Sequence, residues 1–165
     1  MEEILNLYLF GEIKTESVRP IIEDIVKAQN ESYKEINLYI NSEGGSVTDA
    51  FALADVILDS NKTVNTICTG LVCSAATLIY LAGYHRYAYK HGTFVFHNTS
   101  SDVSDMTKDN LIEYNKWLDK LEEWELELYE NTVGNKFLAD ILNSNKEVRL
   151  TTDEAFNLGI VSEVI

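Results

Sequence analysis

The sequence predicts an α/β fold in which strands and helices alternate along the chain. Short runs of β-branched and aliphatic residues recur, and the segments between them show the three-to-four-residue apolar spacing of helices. We expect strands at 4–10, 36–40, 64–68 and 93–96, with a shorter β segment near 87–89. We expect helices at 18–29, 47–60 and 74–82. This alternation implies βαβ units with right-handed crossovers.

One longer helix interrupts the alternation, at about 105–132. Its apolar residues recur three or four positions apart, and Trp117 and Trp124 widen the apolar stripe. Carboxylates stand between the apolar residues, with Glu125 interrupting the stripe. The stripe is wider than one helix commonly buries within its own domain, so it favours an oligomer. A helix packed only on its own domain is the alternative.

Composition indicates one domain spanning residues 1–165, because 45% of the residues are hydrophobic and the chain is long enough to bury a core. The net charge of −14 argues against nucleic acid or an anionic membrane surface as a partner. Two cysteines without a disulfide framework indicate a reducing compartment. The sequence shows no signal-peptide pattern and no membrane-spanning run. We therefore expect a cytoplasmic protein that binds no membrane.

The histidines and cysteines form no metal-ligand pattern, and the paired glycines lack the lysine of a phosphate-binding loop. We therefore expect neither a metal nor another cofactor.

Ser74 stands between a strand-forming run and a helix-forming run, with the small residues Ala75 and Ala76 after it. A hydroxyl at such a junction is a candidate nucleophile, because backbone N–H groups there can stabilise an oxyanion. A helix-capping serine is the structural alternative. Cys73 offers a thiol next to Ser74, but neighbouring residues in a turn point in different directions.

Two further segments carry candidate catalytic groups. Gly44 and Gly45 follow a strand, where glycine lets the backbone come close to a ligand, so the N–H of Gly45 is one candidate oxyanion donor and that of Ala75 the other. His97 ends the strand at 93–96, where it is either a general base or a hydrogen-bonded structural residue. The carboxyl ends of strands are where α/β proteins place their sites, so the coincidence of these groups favours catalysis.

These motifs together resemble the proteolytic subunit of the Clp protease. The chain contains, in order, Tyr-Ile-Asn-Ser-x-Gly-Gly-Ser-Val-Thr, Thr-Ile-Cys-x-Gly-x-x-x-Ser, a histidine after a short strand, and Leu-Thr-x-x-Glu-Ala-x-x-x-Gly-Ile-Val. The resemblance runs from about residue 5 to the C-terminus. It implies that Ser74 is the nucleophile, that His97 is the general base, and that the N–H groups of Gly45 and Ala75 hold the oxyanion.

The acid of the triad rests on the same resemblance. An ungapped match of the segment that begins at Leu150 puts Glu147 at the position where the family has an aspartate. Glutamate can also fix the imidazole tautomer and stabilise the imidazolium. A solvated loop carboxylate is the alternative for Glu147, and Asn145 and Asp153 are the fallback candidates. Asp153 also fits a capping box that begins at Thr151.

The resemblance implies a ClpP/crotonase-like βαβ superhelix with a handle helix, the segment at about 105–132. It implies an ATP-dependent serine endopeptidase that cleaves peptides or unfolded proteins inside a homo-oligomer of two stacked rings. The chain starts at the first strand, without the family's N-terminal helix and pore-lining loops. Because those parts help to dock a Clp-type ATPase in the family, pairing with such a partner is left open. Glu43 replaces a proline of the family motif, and 99–105 replaces its glycine-rich strand.

Alternative functions remain at this point. A phage head-maturation protease of the same family has a similar Ser-Ala-Ala motif and an Asn after its histidine. A catalytically impaired ring subunit is the second alternative. A crotonase-type enzyme acting on acyl-coenzyme A would use the oxyanion donors without a serine nucleophile. A membrane-linked signal-peptide peptidase would use a serine–lysine pair.

Overall fold

The computed structural model describes residues 3–97, 108–133 and 147–165. The strands are β1 Ile4–Ile13, β2 Glu35–Gly45, β3 Thr63–Cys73, β4 Arg86–Ala88, β5 Thr93–Phe96, β6 Val148–Thr151 and β7 Glu163–Val164. The helices are α1 Thr15–Ala28, α2 Val47–Leu58, α3 Ala76–Leu81, α4 Lys108–Val133 and α5 Thr152–Asn157. The α/β class predicted from the sequence is confirmed.

The strands form a seven-stranded sheet in which β1, β2, β3, β4 and β7 lie side by side in that order, all parallel. The long strand β3 has two neighbours on one edge. Its first part pairs with β4, while Leu71, Val72 and Cys73 pair in parallel with β5. β5 in turn pairs with β6 in antiparallel fashion. The end of β3 therefore lies where the sheet divides, next to β5.

The core lies between the sheet and the helices that connect its strands. Along β2, Ile36, Leu38 and Ile40 are fully buried and alternate with more exposed residues, which is the pattern of a strand with one covered face. All six residues of α3 are buried, because this helix lies between α2, α4 and the sheet. An all-round apolar sequence suits such a position.

Helix α4 packs on α3, with Leu121, Glu125 and Tyr129 buried on its inner side. Trp117 and Trp124 remain 44% and 38% exposed, and Trp124 meets Phe51 of α2 edge to face. The helix predicted at about 105–132 is therefore present over Lys108–Val133, and its first predicted residues lie outside the described ones. Within the described ranges, no helix is both long and apolar enough to cross a membrane.

Several predicted boundaries were wrong, among them the end of β1, predicted at residue 10 and found at Ile13, and the start of α1, predicted at residue 18 and found at Thr15. β2 continues to Gly45 and β3 to Cys73, since the ladder with the neighbouring strand continues past the polar residues that suggested turns. The helix predicted at 74–82 begins instead at Ala76, because Ser74 has a left-handed backbone. Ser74 thus belongs to a tight turn between strand and helix.

Candidate active site

Ser74 occupies a sharp turn between β3 and α3. Its φ of 55° is the only positive φ of a residue other than glycine among the described residues. Such a backbone costs an L-residue on the order of 1 kcal/mol, and it persists only where surrounding contacts impose it. Here the Ser74 N–H donates to the Val95 carbonyl at 2.9 Å, and the Ser74 carbonyl accepts from the Thr77 N–H at 2.9 Å. A strained serine on a strand-to-helix turn is typical of an exposed nucleophile.

The end of β2 lies directly against this turn. Gly44 has a φ of +95°, and a β-carbon built there would lie 2.8 Å from the Ser74 Cβ and 3.2 Å from the Ala75 nitrogen. Only glycine can occupy this position without a shift of the neighbouring backbone. The structure therefore brings the glycine pair predicted from the sequence into contact with the serine turn.

The amides on either side of Gly45 are already engaged. The Gly44 N–H donates to the Ser42 hydroxyl at 3.1 Å, and the Ser46 N–H donates to the Ile13 carbonyl at 2.9 Å. Gly45 itself is exposed and has a φ of +145°. A β-carbon at Gly45 would overlap the Ile13 carbonyl oxygen. The exposed backbone of Gly45 is thus the part of this loop that can face a substrate.

His97 follows β5 and is half-buried. Cys73 pairs with Val95 in the parallel ladder, so β3 and β5 end at the same edge of the sheet. His97 lies two residues beyond Val95, whose carbonyl holds the Ser74 N–H. The candidate base and the candidate nucleophile therefore extend from neighbouring strand ends.

The acid candidates separate by their position along β6. The antiparallel ladder ends with the pair Phe96–Val148, so His97 and Glu147 each lie one residue beyond the same end of this ladder. Asp153 belongs to the first turn of α5, beyond the Thr151–Thr93 pair at the other end of the ladder. The predicted capping box of α5 is present, formed by Thr151 and Glu154. The geometry thus favours Glu147 over Asp153, and Asn145 lies outside the described residues.

Glu147 already has a cationic partner. Its Oε1 accepts from the Arg149 Nε at 2.8 Å, and the Glu147 side chain is 48% exposed. Arg149 lies opposite Val95 in the ladder. Glu147 is two residues before Arg149, the spacing at which side chains of an extended chain share a face. An exposed pair of this kind contributes little to stability.

The thiol next to Ser74 is held in its neutral form. Burial raises the pKa of Cys73, and the carboxylates of Glu147 and Glu43 raise it further, while Arg149 acts in the opposite direction. Burial also raises the pKa of Cys68 to about 11. A protonated thiol is a poor nucleophile, so these shifts favour the Ser74 hydroxyl over Cys73.

The other chemically active side chains do not gather at this edge. His85 packs between Tyr84 and Tyr87. In the part of the chain that the structure describes, no group of three or more His, Cys, Asp or Glu side chains is arranged to hold a metal. An apolar groove of about 390 Å³ lies between α2 and α4, lined in part by Phe51 and Trp124. None of the candidate site residues lines this groove.

Two residues in contact with the serine turn were not predicted from the sequence. Thr77 donates its hydroxyl to the Ser74 carbonyl at 2.7 Å, and the Tyr129 hydroxyl lies 2.7 Å from the Thr77 oxygen. A threonine three residues after the serine, inside an apolar helix, was a visible signal for the first contact. Nothing local signalled the second, since Thr77 and Tyr129 are 52 residues apart.

The strained Ser74 lies beside the two glycines that end β2, at the carboxyl edge of a parallel sheet. This edge is where α/β proteins commonly place their sites. The family model of the Clp protease matches residues 2–165. The chain therefore belongs to the Clp protease family, and as a member of a protease family it is a peptidase, a hydrolase.

Individual relatives agree with this assignment. The chain is 25% identical over 162 residues to the ATP-dependent Clp protease proteolytic subunit of Borreliella afzelii (strain PKo). The aligned region covers 96% of this chain and 82% of the relative. A solved structure of a mutant of ClpP1 from Listeria monocytogenes superposes with a TM-score of 0.86 at 24% identity, covering 97% of this chain and 90% of that one. The second comparison confirms the predicted ClpP-like fold.

Proposed function

We propose that this chain is a serine endopeptidase subunit that hydrolyses peptide bonds of peptides or unfolded proteins. The observation that carries the proposal is the strained turn at Ser74, packed against Gly44 in a member of a protease family. A turn that costs folding free energy and presents a hydroxyl is more readily explained by chemistry than by packing.

The mechanism is acyl transfer through Ser74. His97 takes the hydroxyl proton as Oγ attacks the peptide carbonyl, and the N–H groups of Gly45 and Ala75 hold the oxyanion. His97 then gives the proton to the leaving amine, and water, deprotonated by His97, resolves the acyl-enzyme. Glu147 orients the imidazole. Each oxyanion donor contributes on the order of 3 kcal/mol to stabilising the transition state.

The substrate class follows from the backbone chemistry of the site. The two N–H donors recognise a carbonyl oxygen that every peptide bond carries, whatever its side chains. Glu43, Glu147 and the net charge of −14 disfavour very acidic sequences. We therefore propose that the substrates are unfolded proteins or short peptides of neutral to basic character.

Assembly into stacked rings is part of the same proposal. Parallel sheets are normally covered on both faces, yet the outer face of β1 leaves Tyr8 61% and Phe10 57% exposed. Exposed Trp117 and Trp124 on α4 add a second uncovered aromatic area. Two such areas on one subunit favour two kinds of contact between copies.

Dependence on an ATPase and a cytoplasmic location complete the proposal. The Borreliella relative is named as the proteolytic subunit of an ATP-dependent protease. The two free cysteines suit a reducing compartment.

The test is covalent labelling with a serine-directed fluorophosphonate, followed by mass spectrometry. We expect one adduct, on Ser74, that disappears in Ser74→Ala and is strongly slowed in His97→Ala. Ser32→Ala is the matched control, because it removes an exposed serine hydroxyl whose hydrogen-bond partner is Glu3 at the start of the chain, outside the candidate site. An unlabelled protein would instead indicate the impaired ring subunit. An adduct on Cys73 would indicate a thiol enzyme.

A further inference from the structure

Three groups form a continuous hydrogen-bonded chain from helix α4 to the serine turn. Tyr129 is 4% exposed on α4, and its hydroxyl oxygen lies 2.7 Å from the Thr77 Oγ1. Thr77 is 1% exposed, and its Oγ1 lies 2.7 Å from the Ser74 carbonyl oxygen. Nothing in the reaction itself requires Tyr129. Its position suggests a role through Ser74.

The direction of each hydrogen bond is fixed by counting protons. A carbonyl oxygen can only accept, so the Thr77 hydroxyl donates its one proton to the Ser74 oxygen. The Thr77 oxygen then has only lone pairs to offer, so Tyr129 must be the donor to it. Burial raises the pKa of Tyr129, and the charge of Glu125 raises it further. Tyr129 therefore keeps the proton that it donates. Donation to the Thr77 oxygen strengthens the bond that Thr77 makes in turn.

The Ser74 carbonyl and the Ala75 N–H belong to one peptide unit. The described peptide bonds contain no cis isomer, so this unit is planar and its C=O and N–H point in opposite directions. Anything that holds the Ser74 oxygen toward α4 therefore aims the Ala75 N–H away from α4. Rotation of this unit would put a carbonyl oxygen where the oxyanion donor belongs.

We propose that Tyr129 is a positioning residue that, through Thr77, locks the peptide unit between Ser74 and Ala75 in the orientation that forms the oxyanion hole. This inference rests on the proposed function, since it assumes that the Ala75 N–H serves an oxyanion. The Thr77 N–H also binds the Ser74 carbonyl at 2.9 Å, so removal of the hydroxyls loosens the unit without freeing it.

The experiment measures phosphonate labelling of Ser74 as a maximal rate constant and an inhibitor constant, together with kcat and KM for a peptide. The variants are Tyr129→Phe, Thr77→Val, Thr77→Ser and the double variant Tyr129→Phe with Thr77→Val. Tyr80→Phe is the matched control. Tyr80 is also a buried tyrosine, and its hydroxyl donates to the Tyr87 carbonyl at 3.1 Å, away from the serine turn.

We expect Tyr129→Phe and Thr77→Val to lower the labelling rate constant and kcat by about tenfold or more, since a shift of a reacting group by about 1 Å can cost on the order of 100-fold. KM and the inhibitor constant should stay within about twofold, because the oxyanion contact forms in the transition state. Thr77→Ser keeps the hydroxyl and should retain the parent rate. The double variant should lose no more than the larger single loss, because both residues act through one chain of bonds.

Parent-like labelling of Tyr129→Phe would overturn the inference, as would an equal loss in Tyr80→Phe. Urea unfolding of each variant identifies any loss caused by poor folding, and Thr77→Ser and Thr77→Val then decide the matter in place of Tyr129→Phe. If the parent chain itself is not labelled at Ser74, the proposed function fails, and the inference fails with it.

Discussion

Gly44 lies against Ser74 so closely that a β-carbon at position 44 would come within 2.8 Å of the Ser74 Cβ and 2.7 Å of the Cys73 carbonyl oxygen. The contact joins the ends of β2 and β3. It fixes the distance between the two backbone segments that carry the proposed oxyanion donors. On the proposed function, the lack of a side chain at position 44 is therefore needed for the site as well as for packing.

Gly44→Ala should abolish labelling of Ser74 and lower the free energy of unfolding by about 2–3 kcal/mol, because the backbone must shift and φ is unfavourable for alanine. Gly11→Ala is the matched control. Gly11 has a φ of +83°, and a β-carbon there meets nothing within 4 Å. It should cost about 1 kcal/mol of unfolding free energy and leave labelling intact. Labelling and urea unfolding measure both effects, and equal labelling in the two variants would contradict the prediction.

The backbone of Ser74 should be a site where stability and activity oppose each other. Ser74→Gly removes the penalty of a positive φ, whereas Ser74→Ala removes the same hydroxyl and keeps the β-carbon. We expect the glycine variant to be more stable than the alanine variant by about 1 kcal/mol in urea unfolding, with both inactive. Equal stabilities would mean that the turn stores no strain.

Glu147→Gln should lower kcat on the order of 10³-fold or more with little change in KM, because a glutamine offers the imidazole neither the charge nor the same acceptor pattern. Asp153→Asn is the matched control, since it neutralises the fallback acid at the far end of the ladder. Peptide hydrolysis under saturating substrate measures both. A large loss in Asp153→Asn with none in Glu147→Gln would reverse the assignment.

The capping box of α5 should make stability depend on pH. The Thr151 N–H and hydroxyl each donate to the Glu154 Oε2 at 2.8 Å, and these bonds lower the pKa of Glu154 below its ordinary value. The unfolded chain then binds more protons between the two pKa values, so this stabilisation is complete above the unfolded pKa and is lost as pH falls through the folded one. Glu154→Gln should flatten the acid side of the stability curve, measured by urea unfolding at several pH values.

Association through α4 should weaken as pH rises through the carboxylate range. Partial burial raises the pKa of Glu122, and the nearby charge of Asp119 raises it further, so ionisation in a single subunit is less favourable than for a free glutamate. Bringing two acidic helices together adds repulsion to the ionised form, which makes the assembled state bind more protons. Sedimentation velocity at several pH values measures the assembly, and Glu122→Gln should reduce its pH dependence. An assembly unchanged across this range would contradict the prediction.

The alternation of elements was readable from the sequence, and the errors in its boundaries come from contacts with other strands. Asn41 and Ser42 look like turn residues, yet they continue β2, because β1 and β3 on either side supply ladder partners. Ser74 looks like the first residue of a helix, but its φ is set by Val95 and Gly44, which lie on other strands. Local propensity carries no record of such contacts.

The sequence predicted which residues of the candidate site follow the ends of strands. It did not predict the hydrogen bonds between side chains that surround them. Ser74, Gly45 and His97 each follow a recognisable strand, so their placement at one edge followed from parallel topology. The Tyr129–Thr77 contact depends on side-chain geometry between segments 52 residues apart in the chain. No periodicity or motif signals contacts of that kind.

The pairing of β3 with β5 also governs when a newly made chain gains its chemistry. Parallel strands pair only after the intervening chain has closed its loop, here the segment between Cys73 and Thr93. A half-made or half-unfolded chain would therefore have the serine without its neighbours. On the proposed function, such an incomplete chain would lack peptidase activity, so the appearance of activity reports that this part of the sheet has formed.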